Sequence, residues 1–283
     1  MDLPLVGFRL VNVAVNVPAG MAAARLTELG ASVTKVEPPE CDPLQAASPD
    51  LYERLTDGHA VVRLNLKEEA DRGRLGELLA AADVLLTSSR PSALARIGLA
   101  RRDLERRHPG LVQVAIVGHA APDQERAGHD LTYVARHGLV SPPGLPQTLV
   151  ADVGGAERAA TAAVALLFAR ERGAGGRYVE VALGDAAAFF ALPWELGLTR
   201  PGGLLGGGFP FYGLYEARGG WVAVAALEPR FRDRLTAGLG VSEATAAAFA
   251  AAFRRRTPAE WERWASEYDV PIAAVAVSDN AQG

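Results

Sequence analysis

Three short segments put titratable side chains where a loop or strand gives way to a helix. They are Gly128-His129-Asp130, Ala151-Asp152-Val153-Gly154-Gly155 and Leu227-Glu228-Pro229. An imidazole titrates near neutrality and both gives and takes a proton. A carboxyl group serves as base, acid or nucleophile, with a pKa set by burial and neighbouring charge. The same residues have plainer uses. Asp152 is a good N-cap, worth about 1 kcal/mol to a helix. Asp130 suits the cap of a helix over 131–138, and Glu228-Pro229 suits a helix start. Asp185, after a strand, reads as another helix cap.

The other titratable groups form no pattern. His59, His108, His119 and His137 stand apart from any motif, and the one cysteine, Cys41, has no adjacent histidine to activate it. A single cysteine excludes an intramolecular disulfide and a Cys-rich metal cluster. Neither metal-ligand spacing nor a dinucleotide Gly-rich fingerprint is present, so no metal and no nicotinamide are expected.

The elements that must position these groups alternate in type. Strands are predicted at 8–15, 32–37, 61–66, 84–88, 111–117 and 178–183. Helices are predicted at 21–29, 67–82, 156–172 and from Asp185 to about Gly197. Pro18-Ala19-Gly20 reads as a break and Gly30 as a helix end. Such alternation implies βαβ units and a mostly parallel sheet, a Rossmann-like large domain over 1–197. Five glycines between 202 and 208 mark a linker over 198–209. Beyond it, a hairpin (211–216 and 221–226), helices at 229–239, 242–255 and 257–268, and a strand at 270–277 form a small α+β domain over 210–283. Thr257 with Glu260 fits a capping box.

The 283 residues carry a net charge of −4, with 49% hydrophobic and 22% charged residues. That balance is globular and argues against a nucleic-acid or anionic-membrane grip. No apolar run of about 18 residues is free of charge, and the first residues lack a signal-peptide pattern. A cytoplasmic protein is the expectation.

The order of segments resembles the family III CoA-transferase and α-methylacyl-CoA racemase superfamily. The matching stretches are Pro4 to Val11, Pro18-Ala19-Gly20, Leu29 to Pro39, Leu64-Asn65-Leu66-Lys67 and Ser89-Arg90-Pro91 with Arg96-Ile97-Gly98-Leu99. Ala127 to Asp130, Val150 to Gly155, Gly176 to Val181 and Phe211 to Pro229 continue in order. The Gly-His-Asp and Leu-Glu-Pro segments resemble the racemase branch.

That resemblance implies acid/base proton transfer at the α-carbon of an acyl thioester through an enolate, with His129, Asp152 and Glu228 as catalytic residues. Burial and Glu228 would raise the Asp152 pKa, whereas a helix N-terminus with Gly154 and Gly155 would favour its anion. The alternatives are a CoA-transferase with Asp152 as nucleophile, or a diverged enolate enzyme (isomerase, dehydratase or cyclase). CoA enters as part of the substrate, not as a bound cofactor. Lys35, Arg90 and Arg96 match its basic ligands, and Gly154 and Gly155 offer backbone N–H groups.

Two departures stand out. Thr56-Asp57-Gly58-His59-Ala60 replaces the family's basic Asn-Arg-x-Lys-Arg run. Gly118-His119-Ala120-Ala121-Pro122 replaces Gly-x-Gly-Gln-Thr-Gly-Pro. They imply altered CoA binding, or an acyl group on the phosphopantetheine arm of an acyl carrier protein. The resemblance further implies a homodimer of the interlocked kind and a C-terminal return segment that this chain lacks.

Overall fold

The computed structural model describes residues 3–276. The chain divides into two compact units, one ending at Ala191 and the other starting at Leu192. In the first, the order is β1 (Arg9–Asn12), α1 (Val17–Glu28), β2 (Ser32–Glu37), α2 (Pro43–Ala47), α3 (Pro49–Thr56), β3 (Ala60–Arg63), α4 (Glu69–Ala80) and β4 (Val84–Thr87). Then come α5 (Pro91–Arg96), α6 (Arg101–Arg107), β5 (Val112–Val117), α7 (Asp130–Arg136), α8 (Val150–Glu171), β6 (Tyr178–Ala182) and α9 (Leu183–Glu195). The unit boundary at Ala191 falls within α9.

The six strands pair in parallel in the order β3-β2-β1-β4-β5-β6. This is the doubly wound order, whose direction reverses between β1 and β4; ligands of such sheets bind outside the carboxyl ends of the strands. Leu10, Val33, Val84, Val114 and Ile116 face α1 and α8. Val11, Val36 and Leu85 face the other layer, where they meet Leu75 and Leu79 of α4, Leu94 of α5 and Leu104 of α6. Burial on both faces explains why the central β4 and β5 read as nearly unbroken apolar runs. Helices α1 and α8 bury Ala19, Ala22 and Ala23 with Ala156, Ala159, Ala160 and Ala163. The alanine richness is thus a close helix–helix seam as well as a helix-forming composition.

Two helix starts differ from the sequence reading. Helix α1 starts at Val17, four residues before the predicted Met21, so Pro18-Ala19-Gly20, read as the break that ends the strand, forms its first turn. A proline there gives up an N–H that has no intrahelical partner. Helix α8 starts at Val150, six residues before the predicted start at Ala156.

In the second unit, β7 (Tyr212–Ala217) and β8 (Gly220–Ala225) form the hairpin. Helices α10 (Pro229–Leu239), α11 (Ala246–Phe253) and α12 (Pro258–Tyr268) follow, then β9 (Ile272–Ala274). The sheet is antiparallel in the order β7-β8-β9. Of the strand predicted at 270–277, Val277 lies outside the described residues. The core is aromatic. Phe211, Tyr215, Phe249, Phe253, Trp261 and Trp264 are buried, and the Trp261 indole donates to the Phe253 carbonyl at 2.8 Å. A side chain at Gly238 would overlap the Trp264 ring, so only glycine fits there. The capping box is present: Thr257 N–H donates to Glu260 at 2.7 Å, and Glu260 N–H donates back to Thr257 at 3.3 Å.

The glycine-rich stretch read as a linker is a coil folded on itself. Gly202 N–H donates to Gly206 O and Leu205 N–H to Leu198 O. A Cβ at Gly203, Gly206 or Gly208 would strike backbone carbonyl oxygens of 197–203.

Candidate active site

Asp152 lies in the first turn of α8, and the element that holds that turn is remote in sequence. The residue before the helix, Leu149, offers no side-chain acceptor. The acceptor comes from Asp130 in α7. Its buried carboxylate accepts Ala151 N–H at 2.7 Å and Asp152 N–H at 3.0 Å through one oxygen. This answers the need of the first helical N–H groups for a partner. It also corrects two expectations. Asp152 is not the cap of α8, and Asp130 caps that helix rather than its own. The residue that precedes α7 is His129, in extended backbone. Thr132 Oγ1 accepts His129 N–H at 3.1 Å and donates to its carbonyl at 2.7 Å. His129 is exposed, whereas Asp152 is half-buried.

The electrostatics follow from that placement. Burial, then the like charge of Asp130, raises the Asp152 carboxyl from 3.8 to about 6, against the opposing charge of His129. Desolvation and like charge therefore outweigh the attraction of His129 for the anion. The carboxylate neighbour found beside Asp152 is Asp130. Glu228 lies in the second unit, exposed, just before α10.

Tyr133, on the turn of α7 after Asp130, is 2% exposed. Burial, then the charges of Asp152 and Asp130, pushes its phenol up. Its hydroxyl fits only because positions 118 and 128 are glycine; a Cβ at either would collide with it. The His119 ring meets its edge, with centroids 5.2 Å apart. On its far side, at the carboxyl ends of β4 and β5, a cavity of about 120 Å³ is lined by Ser88, Ser89, Arg90, Gln124, Arg126 and Tyr133 among others. Arg126 and Tyr133 went unnoticed in the sequence; the only local signal was the pair of glycines that make room.

The basic residues divide. Arg90 lines the cavity and Arg96 lies exposed at the end of α5. Both help Ser92, which donates to Glu125 through its N–H and hydroxyl at 2.9 Å, to hold the Glu125 carboxyl below its usual range. Lys35 is different. Its ammonium is 2% exposed and donates to Asp42 at 2.6 Å, with Glu37 at 3.9 Å. A lysine so enclosed holds the fold and is not presented to a phosphate, which corrects the expectation for it. Asp42 in turn accepts the N–H of Asn16, a non-glycine residue at φ 69°, and of Leu44.

Gly154 and Gly155 also do something other than expected. Lying past the first turn, they spend their N–H groups inside α8. A Cβ at Gly154 would enter the Phe190 ring and one at Gly155 the Leu183 side chain. They permit close packing of α9 on α8 instead of cradling a ligand. Of the departures noted in the sequence, Asp57-Gly58-His59 forms the turn from α3 to β3. There His59 Nε2 meets Thr27 Oγ1 at 2.9 Å, and burial lowers the His59 pKa. Among the described residues, no group of three or more His, Cys, Asp or Glu is placed to hold a metal. None of the described helices is long and apolar enough to cross a membrane.

Comparison with known proteins decides the family, since the model of CoA-transferase family III matches residues 5–282. The chain belongs to that family. Members of CoA-transferase family III act on acyl-CoA thioesters, as racemases or as CoA-transferases. The chain is 30% identical to the α-methylacyl-CoA racemase of Mus musculus, over 90% of this chain and 73% of that protein. It is 31% identical to the cinnamoyl-CoA:phenyllactate CoA-transferase of Clostridium sporogenes, over 65% of this chain and 50% of that one. A crystal structure of a Mycobacterium tuberculosis hypothetical protein shares the fold, with a TM-score of 0.82 at 23% identity, covering 98% of this chain and 86% of that one.

Proposed function

We propose that the chain catalyses proton transfer at the α-carbon of an acyl thioester, as a racemase or epimerase. His129 and Asp152 would work from opposite faces of an enolate. The supporting observation is the Asp152 carboxyl, half-buried beside Asp130 and close enough to His129 to feel its charge, with a pKa of about 6. A group that titrates near working pH serves as base in one direction and acid in the other. A nucleophilic carboxylate needs no such elevation.

In one direction the Asp152 carboxylate takes the α-proton, and the electron pair of the C–H bond moves onto the thioester oxygen. The His129 imidazolium then delivers a proton to the opposite face as the enolate collapses. Asp152 is left protonated and His129 neutral, and exchange with solvent resets both. The reverse direction swaps the two roles. Glu228 is the third member of the proposed catalytic set, on its match to the racemase branch. Arg90 and Arg96, joined by Arg126, pair with the phosphates of CoA or of a carrier protein's phosphopantetheine. The working form is read as a homodimer in the cytoplasm.

A second reading, CoA transfer with Asp152 as nucleophile, is favoured by the likeness to the Clostridium sporogenes transferase. Incubation of a single enantiomer of a 2-methylacyl-CoA in D2O separates the two by NMR. The proposal expects the α-proton signal to vanish and optical purity to decay, with no adduct trapped by hydroxylamine. Transfer to an added carboxylic acid, with a trapped Asp152 thioester and no α-exchange, would replace it with the second reading. Exchange accompanied by a new product would instead identify an isomerase, dehydratase or cyclase.

A further inference from the structure

We propose that Asp130 is a positioning residue that sets the distance and register between His129 and Asp152. The assignment of those two as the proton-transfer pair rests on the function proposed above; the geometry of the clamp does not. Asp130 follows His129 directly and is 5% exposed. One of its carboxylate oxygens accepts from two consecutive N–H groups of α8, those of Ala151 and of Asp152 itself. Both bonds span more than twenty residues, and the helix offers no cap of its own at Leu149. On the other side, Thr132 fixes both backbone polar groups of His129. The backbone carrying the imidazole and the backbone carrying the carboxyl group are therefore joined through one side chain. A shift of α7 along α8 by an ångström would break both bonds at once, because hydrogen bonds weaken steeply outside a narrow range of distance and angle.

Three titratable groups of α7 and its N-cap face Asp152: Asp130, His129 and Tyr133. Asp130 is the one that opposes its ionisation through charge. Geometry and charge can be separated by substitution. Asp130→Asn keeps an amide oxygen able to accept both N–H groups but removes the negative charge. Asp130→Ala removes both. Neither changes a group that touches the reacting atoms.

The experiment uses the full chain labelled with 13C at aspartate carboxyl carbons. It follows the Asp152 titration by NMR, together with α-exchange of a 2-methylacyl-CoA in D2O. In Asp130→Asn the Asp152 midpoint should fall below about 6, and the acid limb of kcat should move the same way. The KM should stay within about twofold, and kcat should drop about tenfold. Asp130→Ala should lose about a hundredfold or more in kcat, again with little change in KM. An Asp130→Asn protein with the wild-type Asp152 midpoint and pH profile would overturn the assignment. So would an Asp130→Ala protein with wild-type kcat. Should Asp130→Ala fail to fold, Asp130→Glu, which moves the acceptor by one methylene, takes its place, and wild-type kcat in it would equally overturn the assignment. If the wild-type chain exchanges no α-proton, the proposed function falls, but hydrogen-exchange protection of the Ala151 and Asp152 amides, expected to drop in Asp130→Ala or Asp130→Glu and to persist in Asp130→Asn, still judges the clamp, since it needs no substrate.

Discussion

The first unit buries two sets of carboxylates and treats them in opposite ways. Glu37 and Asp42 share the Lys35 ammonium, and Glu37 also accepts the Tyr52 hydroxyl at 2.6 Å. Lys35 offsets one of the two charges and the exposed Arg63 guanidinium, 3.9 Å from Glu37, bears on the other; what they hold is a loop and the entry to α1. Among the described residues, no buried cation pairs with Asp130 or Asp152; the positive charge that bears on Asp152 is that of an exposed histidine. One cluster is tied by ion pairs and shapes the fold. The other keeps its proton affinity high, which is what proton exchange with carbon requires. The difference lies in which partner the fold supplies, because the residue types at the two places are nearly the same.

Four substitutions or conditions would break or sharpen this contrast. The largest effect is on chemistry. Asp152→Asn should cut α-exchange by about 10²- to 10⁴-fold while leaving the fold intact, measured by NMR in D2O and by circular dichroism. Next, Lys35→Met should leave the buried Asp42 carboxylate without its cation, and Glu37 with Arg63 alone, and cost about 3–5 kcal/mol of stability by urea unfolding. A cost below about 1 kcal/mol would mean that Lys35 does not carry the pair. Third is pH dependence. The folded Asp152 carboxyl titrates at about 6 against 3.8 ordinarily. Its proton thus binds the folded chain more tightly than the unfolded one. The resulting stabilisation, on the order of 2–3 kcal/mol, is present below about pH 4 and is lost as pH rises through about 6. Asp152→Asn should therefore flatten the stability profile across that window. The smallest effect is Tyr52→Phe, which removes one donor to Glu37 and should cost about 1–2 kcal/mol without altering α-exchange.

Local signals made part of this legible. β2 follows the predicted 32–37, α10 the predicted 229–239, and the Thr257–Glu260 box opens α12 where the spacing put it. In each case the information lies within a few residues. Helix α8 was misplaced because its first turn is capped by Asp130, twenty-one residues away from Ala151. Lys35 was misread because a lysine in a matching motif looks the same whether it faces a ligand or, as here, the Asp42 of a loop that folds back on it. Gly154 and Gly155 looked like a ligand cradle because a glycine pair at a presumed helix start has two uses. Only the position of Phe190 and Leu183 shows which applies. His129 and Asp152 stand in motifs that mark them as candidates, whereas Tyr133 is marked only by the packing of two glycines against its hydroxyl.

The aromatic core of the second unit has a practical use. All four tryptophans, at 194, 221, 261 and 264, fall after Ala191, so the first unit contains none. Indole emission therefore watches one half of the molecule melt, while far-ultraviolet ellipticity, weighted by the six-stranded sheet and its flanking helices, watches mainly the other. Recording both on one sample during a thermal ramp would show whether the halves come apart together or one before the other.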